Sequence, residues 1–256
     1  GTVVIPPRFQ PDLIVDMLQD EDVTVFGGGP PAIYQAIMAS EKFAAAAFPS
    51  LRVCPGGGAP FPLDVHRRWS EATGLSITEG YGMTEIAPIC VNTESDGMQA
   101  GAAGKAVPDT VIEVVDIQTG ETVLPSGDLG EIRVKGPHMM TGYTGNLEET
   151  ATAIRDGFIY TGDIGLLDDA GFLIISDRKK DVIFVKGYNV FPREIEEALL
   201  THPAVSGACV VGRADERAGE VPVAFLTLRS DIEPQDISVF LSETLADYKL
   251  PAEFIP

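Results

Sequence analysis

Basic residues are scarce in this sequence: 18 Lys and Arg stand against 38 Asp and Glu, a formal net charge of −20. Nucleic acid and anionic lipid surfaces are gripped by clustered cations, so the balance argues against both as partners. The excess acidity serves solubility, and an anionic ligand would need local cations, backbone N–H groups or a metal ion. Cysteine is sparse as well. Cys54, Cys90 and Cys209 stand apart with no CxxC spacing, which argues against a disulfide framework or structural zinc and fits a reducing, cytoplasmic setting. No apolar run approaches the roughly 20 residues that span a bilayer. The opening "GTVVIPPRF" lacks the charged and apolar regions of a signal peptide. His66, His138 and His202 are isolated and read as helix, loop and turn residues without ligand spacing.

The 256 residues, 45% of them hydrophobic, suffice for one large domain or two smaller ones with real cores. Over the first ~95 residues, short apolar runs alternate with helical periodicity. Thr2–Ile5, Val23–Phe26, Leu51–Cys54 and Leu75–Thr78 read as strands. "PDLIVDMLQD", "PAIYQAIMAS" and "FPLDVHRRWSEAT" read as helices. Such alternation predicts an α/β layer with parallel strands, whose ligands gather at the strands' carboxyl ends. "CPGGGAP" and "EGYGMTE" both fall there. From about residue 100 the texture becomes short strands with turn signals, "VIEVVD", "EIRVKG", "FIYTGD" and "FLIIS", which predicts a small, mostly antiparallel β unit. The polar run "SDRKKD" interrupts it, and strand and helix patterns then begin again.

Several clusters carry chemistry. In "EGYGMTE" an aromatic face at Tyr81 could stack on a nucleobase, Thr84 could donate to a phosphate oxygen, and Glu85 could ligate Mg²⁺. An ordinary turn after a strand ending at Glu79 explains the same residues equally well. In "YTGD", Asp163 could accept both hydroxyls of a ribose, although Gly and Asp are also common turn residues. Arg178, Lys179, Lys180 and Lys186 concentrate cations within nine residues of an acidic chain, as a solvated charge run or as a hinge beside an anionic ligand. "CPGGGAP" offers backbone that can approach a planar ligand, but it lacks the GxGxxG register, and no GxxxxGK[ST] occurs.

Taken together and in order, "GGGAP", "EGYGMTE", "GEIRVKGPHMMTGY", "YTGD", "SDRKKDVIFVKGYNVFPREIE" and "HPAVSGACVVGRADERAGE" resemble the adenylate-forming superfamily over essentially the whole chain. "DRKKDVIFVKGYNVFPREIEEAL" is most similar to its fatty-acyl and aryl-CoA ligase branch. The resemblance implies the latter part of a large α/β domain with a small β-barrel-like subdomain, followed by a small α+β C-terminal domain. Residues 1–99 would be a partial nucleotide- and acyl-binding subdomain, and 100–176 a β-rich subdomain completing the large domain. Residues 177–181 would be a hinge, and 182–256 a mobile C-terminal domain. It implies ATP/AMP, Mg²⁺ and CoA as ligands and a small carboxylic acid as substrate. Tyr81, flanked by Gly80 and Gly82, would stack on adenine. Thr84 would contact the phosphate and Glu85 help ligate Mg²⁺. Asp163 with Arg178 would take the ribose, and Gly57, Gly58 and Ala59 would lie along adenine and the acyl pocket. Lys180 would be the hinge, and Lys186, Gly187 and Asn189 would approach the thioester-forming face.

Two family motifs are not found: the phosphate-wrapping Ser/Thr/Gly loop, expected before Gly1, and a Gly-Lys pair, expected soon after Pro256. The expectation is therefore of a truncated piece of a synthetase with little adenylation activity of its own. Phe184 stands where some relatives carry a Lys used in thioester formation; lipid-type members also have an apolar residue there, so the resemblance implies subfamily identity. The resemblance leaves open a carrier-protein thiol in place of CoA, and a nucleotide-binding homologue without turnover.

Overall fold

The computed structural model describes residues 1–230 and 232–255; Pro256, beyond which the Gly-Lys pair is expected, lies outside them. In the first third, α1 (Pro11–Asp20), α2 (Pro31–Met38) and α4 (Leu63–Thr73) form where apolar periodicity placed them, with a short α3 (Glu41–Ala45) between. Proline starts α1 and α2, where a missing N–H costs nothing. Gly74 closes α4 in the left-handed conformation, at φ 72°. Their apolar faces converge on Trp69, which stacks on Phe26 and Phe43 and meets Tyr34 edge-on.

The accompanying sheet is mixed rather than parallel. β1 (Cys54–Gly57) runs parallel to β2 (Ile77–Met83). Then β3 (Ile86–Val91) and β4 (Lys105–Ala106) add antiparallel to it. The expected strand at Leu51–Cys54 thus begins at its last residue. The one expected at Val23–Phe26 is reduced to a single parallel bridge, Val25 to Val53. Thr2–Ile5 is not a strand. No neighbour pairs with it among the described residues, and Val3 and Ile5 are exposed, at 79% and 77%.

The antiparallel unit forms as the turn signals predicted. β5 (Val111–Val115) and β6 (Gly130–Lys135) come first, then α5 (Leu147–Ala153) and β7 (Ile154–Arg155), then β8 (Phe158–Leu167) and β9 (Leu173–Arg178). The order is β5-β6-β8-β7 with β9 on β8. β8 and β9 both run further than expected: β8 continues through the Gly162–Asp163 turn signal, and β9 takes in Asp177 and Arg178. A third sheet follows, built from β10 (Ile183–Val185) and β11 (Tyr188–Val190), then α6 (Pro192–Leu200), β12 (Val205–Asp215), β13 (Gly219–Leu228), α7 (Pro234–Ser242) and β14 (Glu253–Ile255). Ile195 and Leu199 of α6 and Ile237 and Leu241 of α7 are buried against Val205, Val210 and Ala224 of that sheet. Among the described residues no helix is long and apolar enough to cross a membrane.

The segment joining the second and third sheets is anchored on both sides. Lys179 Nζ donates to Glu131 Oε2 at 2.7 Å, and Glu131 is otherwise buried in the second sheet. Val182 and Phe191 pack on Ile117 and Ile164. Asp177 Oδ2 accepts the backbone N–H of Arg193, in the first turn of α6, at 3.1 Å. The residue preceding α6, Phe191, has no side-chain cap to offer, so a carboxylate at the end of β9 caps a helix of the following unit. Asp177→Ala should cost about 1 kcal/mol of stability, the usual worth of such a cap. Thermal denaturation gives the magnitude, and hydrogen exchange should show the loss concentrated at the start of α6.

Candidate nucleotide site

A cleft of about 920 Å³ opens where the first two sheets meet the segment at 177–180. Its first wall is the segment just after β1 and the last half of β2. The strand does not stop at Glu79, because pairing with β3 (Gly80 to Val91, Tyr81 to Cys90, Met83 to Ile86) carries it to Met83. Gly57 and Gly80 face each other across the parallel pair, and a Cβ on Gly57 would lie 2.6 Å from the Gly80 carbonyl oxygen. Gly57 therefore lets two strands close behind the cleft, whereas Gly58 and Ala59 line it. Thr84 and Glu85 form the two-residue turn between β2 and β3 and also face the cleft.

The opposite wall comes from β8. Against β6 its register jumps from Arg133–Tyr160 to Glu131–Ile164, leaving Thr161, Gly162 and Asp163 as an outward bulge. Gly162 takes φ 71° there, a left-handed conformation that favours glycine. The bulge carries Asp163 to Tyr81, whose hydroxyl donates to Asp163 Oδ2 at 2.5 Å. Arg178 is the cross-strand partner of Asp163 on β9, with Nε 3.7 Å from Oδ1. Burial raises the carboxyl pKa of Asp163, against the pull of the Tyr81 hydroxyl and the Arg178 charge. Burial, then the neighbouring carboxylate, pushes the Tyr81 phenol far above its ordinary value, so it serves as a hydrogen-bond donor. One carboxylate oxygen is thus fixed by tyrosine, while the other faces a guanidinium beyond hydrogen-bond reach and can accept hydroxyls of a ligand.

Across the cleft, Glu85 Oε1 accepts from the Tyr143 hydroxyl at 2.7 Å, and the Glu85 carbonyl accepts from Met140 N–H at 2.7 Å. The bond to Glu85, with burial and the carboxylate charge adding to it, pushes the Tyr143 phenol up to about 12. No group of three or more His, Cys, Asp or Glu side chains able to hold a metal occurs among the described residues. A Mg²⁺ at Glu85 would need its remaining oxygens from ligand phosphates and water, which suits an ion that keeps waters and binds few carboxylates. Burial pushes the Cys54 thiol up to about 11 and that of Cys90 to about 12, so neither is poised as a nucleophile.

The structure brings Gly58, Ala59, Gly80, Tyr81, Gly82, Thr84, Glu85, Asp163, Arg178 and Lys180 to one cleft. It does not bring Lys186, Gly187 and Asn189 there. They belong to the β10–β11 hairpin, where Lys186 and Gly187 take φ 50° and 87° in a two-residue turn. Three residues of the site escaped the reading of the sequence. Glu79, buried two positions before Tyr81 on the same strand face, is bonded to His66 Nε2 at 2.8 Å; strand alternation could have signalled it. Tyr143 lies 58 residues from its partner Glu85, and Arg193 enters the cleft from α6. Both lie inside motifs already quoted, at the end of "GEIRVKGPHMMTGY" and within "SDRKKDVIFVKGYNVFPREIE", but spacing alone assigns neither a place in the cleft.

The cleft sets an aromatic ring, two carboxylates and a guanidinium around one space, groups that suit a nucleotide. The sequence matches the family model for AMP-binding enzymes over residues 1–144 and that for the AMP-binding enzyme C-terminal domain over residues 194–256. The chain belongs to the AMP-binding enzyme family. It is 35% identical to the long-chain-fatty-acid–CoA ligase of Bacillus subtilis over 255 residues, 98% of this chain and 45% of that protein. It is 38% identical to the feruloyl-CoA synthase of an Amycolatopsis species over 256 residues, 98% of this chain and 51% of that protein. Its structure resembles ATP-bound MatB from Rhodopseudomonas palustris with a TM-score of 0.90 at 35% identity, over 98% of this chain and 50% of that one. The chain thus spans about half the length of the relatives it matches.

Asp163 sets ligand binding against stability. Its carboxyl pKa is raised by folding from the ordinary 3.8, so the native state favours the protonated form. The resulting penalty is fully present above the folded value and vanishes below the unfolded one. Asp163→Asn, which can still accept from Tyr81, should therefore melt higher than wild type at pH 7, with the difference shrinking as pH falls through the raised folded value and gone below about 4. Asp163→Ala should weaken AMP binding by about 1–3 kcal/mol, the scale for losing charge-assisted hydrogen bonds. Calorimetry across pH measures the first, and AMP titration the second.

Proposed function

We propose that this chain supplies the adenosine wall, hinge and small domain of an ATP-dependent carboxylic acid–CoA ligase. The observation carrying the proposal is the convergence of Tyr81, Asp163 and Arg178 from two sheets on one cleft. The names of the relatives, CoA ligases for fatty acid and feruloyl groups, support the reaction class. In this reading the Tyr81 ring lies against adenine, and the free oxygen of Asp163 accepts ribose hydroxyls beside Arg178. Gly58 and Ala59 bring backbone close to the base. The Thr84 hydroxyl and Glu85 face the phosphates, where Mg²⁺, when bound, neutralises charge on the phosphate oxygens.

The reaction follows from the residue types. The acid's carboxylate attacks the α-phosphorus of ATP, pyrophosphate leaves, and positioned donors stabilise the charge that grows on the phosphate oxygens. The thiol of CoA then displaces AMP from the mixed anhydride. Neither half needs an enzyme nucleophile. Under the same proposal residues 1–176 form the large domain in two parts, 177–181 the hinge and the remainder the small domain. Lys180, which lines the cleft and has no ion pair among the described residues, is the pivot. Lys186, Gly187 and Asn189 would meet the thiol only after the small domain turns.

The whole protein, given a panel of fatty and aryl acids with MgATP, should release pyrophosphate and then form an acyl-CoA when CoA is added. Pyrophosphate release and thioester formation are followed separately. Tyr81→Ala should depress both. A thioester formed only on a carrier protein's phosphopantetheine thiol would replace CoA as acceptor. No acid-dependent pyrophosphate release with any acid would refute the ligase reading.

A further inference from the structure

Glu85 occupies a two-residue turn between β2 and β3, and such a turn does little by itself to fix a long side chain. A single loop, residues 136–146, fixes it from the other side. Met140 N–H holds the Glu85 carbonyl and the Tyr143 hydroxyl holds Oε1, both at 2.7 Å. The loop is braced in turn: Tyr143 N–H donates to Thr150 Oγ1 at 2.9 Å, and Thr150 Oγ1 donates to the Asn146 carbonyl at 2.7 Å. Gly142, at φ 150°, sits so close that a Cβ there would lie 2.8 Å from the Thr150 methyl group. The braced hydroxyl therefore meets one oxygen of Glu85 in a defined direction, while Oε2 has no hydrogen-bonding partner among the described residues.

We propose that Tyr143 is a positioning residue that holds one oxygen of Glu85 so that the other is presented to a divalent cation shared with the nucleotide's phosphates. The inference rests on the reading of Glu85 as the cation's carboxylate. The physical argument is that of partners behind a metal ligand in general. A hydrogen bond to the idle oxygen fixes the ligand's orientation and removes rotamers that would be lost on binding.

The test compares Tyr143→Phe, Glu85→Gln and the double variant in the whole protein. The main readout is the factor by which Mg²⁺ tightens ATP binding, taken from titrations in Mg²⁺ and in EDTA. The Mg²⁺ concentration for half-maximal pyrophosphate release and the KM for the acid are measured alongside. Tyr143→Phe should cut the Mg²⁺ tightening about 10-fold, the lower end for losing a partner behind a metal ligand, with ATP affinity in EDTA and the KM for the acid unchanged. Adding it to Glu85→Gln should produce no further loss. Unchanged Mg²⁺ tightening in Tyr143→Phe, with a loss in Glu85→Gln, overturns the role of Tyr143 and leaves that of Glu85 standing. Unchanged tightening in Glu85→Gln overturns both. If melting shows that Tyr143→Phe unfolds, Tyr143→Leu carries the test: it too lacks the donor, and wild-type ATP affinity in EDTA with reduced Mg²⁺ tightening is the supporting result, normal tightening the opposing one.

Discussion

The cleft depends on a buried carboxylate that must be kept company. Asp163 is held between a tyrosine from one sheet and an arginine from its own, and each contact answers a different part of the cost of burial. Taking a carboxylate out of water is expensive unless its lone pairs are met. The Tyr81 hydroxyl satisfies one oxygen with a bond of the charge-assisted kind, worth about 1.5–3 kcal/mol. The Arg178 side chain is 66% exposed and 3.7 Å away, so its attraction is screened and contributes little to folding. The carboxyl pKa stays raised in spite of both. A group left under-compensated in a cleft is what a ligand's hydroxyls would complete, and it explains why the two sheets meet at a polar seam.

The same seam accounts for the backbone around it. Asp163 reaches Tyr81 only because β8 bulges against β6, and the bulge needs a left-handed residue, which Gly162 provides. Tyr81 reaches Asp163 only because β2 runs on past Glu79 to Met83. Gly57 permits β1 and β2 to approach at that level, since a side chain there would collide with the Gly80 carbonyl. The glycines of "GGGAP" and "YTGD" thus have distinct duties, one behind the wall and one shaping it.

Much of the architecture was legible in the sequence. Helices α1, α2, α4, α6 and α7 carried apolar stripes, most with a proline at the first turn, and both signals are local. The antiparallel unit announced itself through turn residues at short intervals. Strands near the start were less legible: Val23–Phe26 and Thr2–Ile5 have strand composition, but a strand exists only if a neighbour pairs with it, and propensity says nothing about neighbours. Of the site, residues within one motif were found together, as Tyr81, Thr84 and Glu85 were. Of the contacts between motifs, only the pairing of Asp163 with Arg178 was expected. The Tyr81–Asp163 bond spans 82 residues, and the Lys179–Glu131 pair spans 48. Both are products of strand order rather than of spacing.

That difference decides how the basic run at 178–180 should be understood. In the sequence it is one block of charge in an acidic chain, and the three side chains look interchangeable. In the structure they part at once. Arg178 turns toward Asp163, Lys179 is drawn to the buried Glu131, and Lys180 lines the cleft without an ion pair among the described residues. Lys179 ties the segment that follows β9 to the second sheet through Glu131. Just before these three residues, Asp177 caps α6, and just after them Val182, with Phe191, seats the next unit on Ile117 and Ile164. Rotation of the third sheet about this segment would break the cap and the apolar seat but could leave Arg178 and Lys179 where they are. Those bonds to be broken are few and individually weak, about 1 kcal/mol for a cap. Under the proposed hinge, a residue between the fixed and the breakable contacts is where backbone change would be absorbed most cheaply, and Lys180 would be that residue.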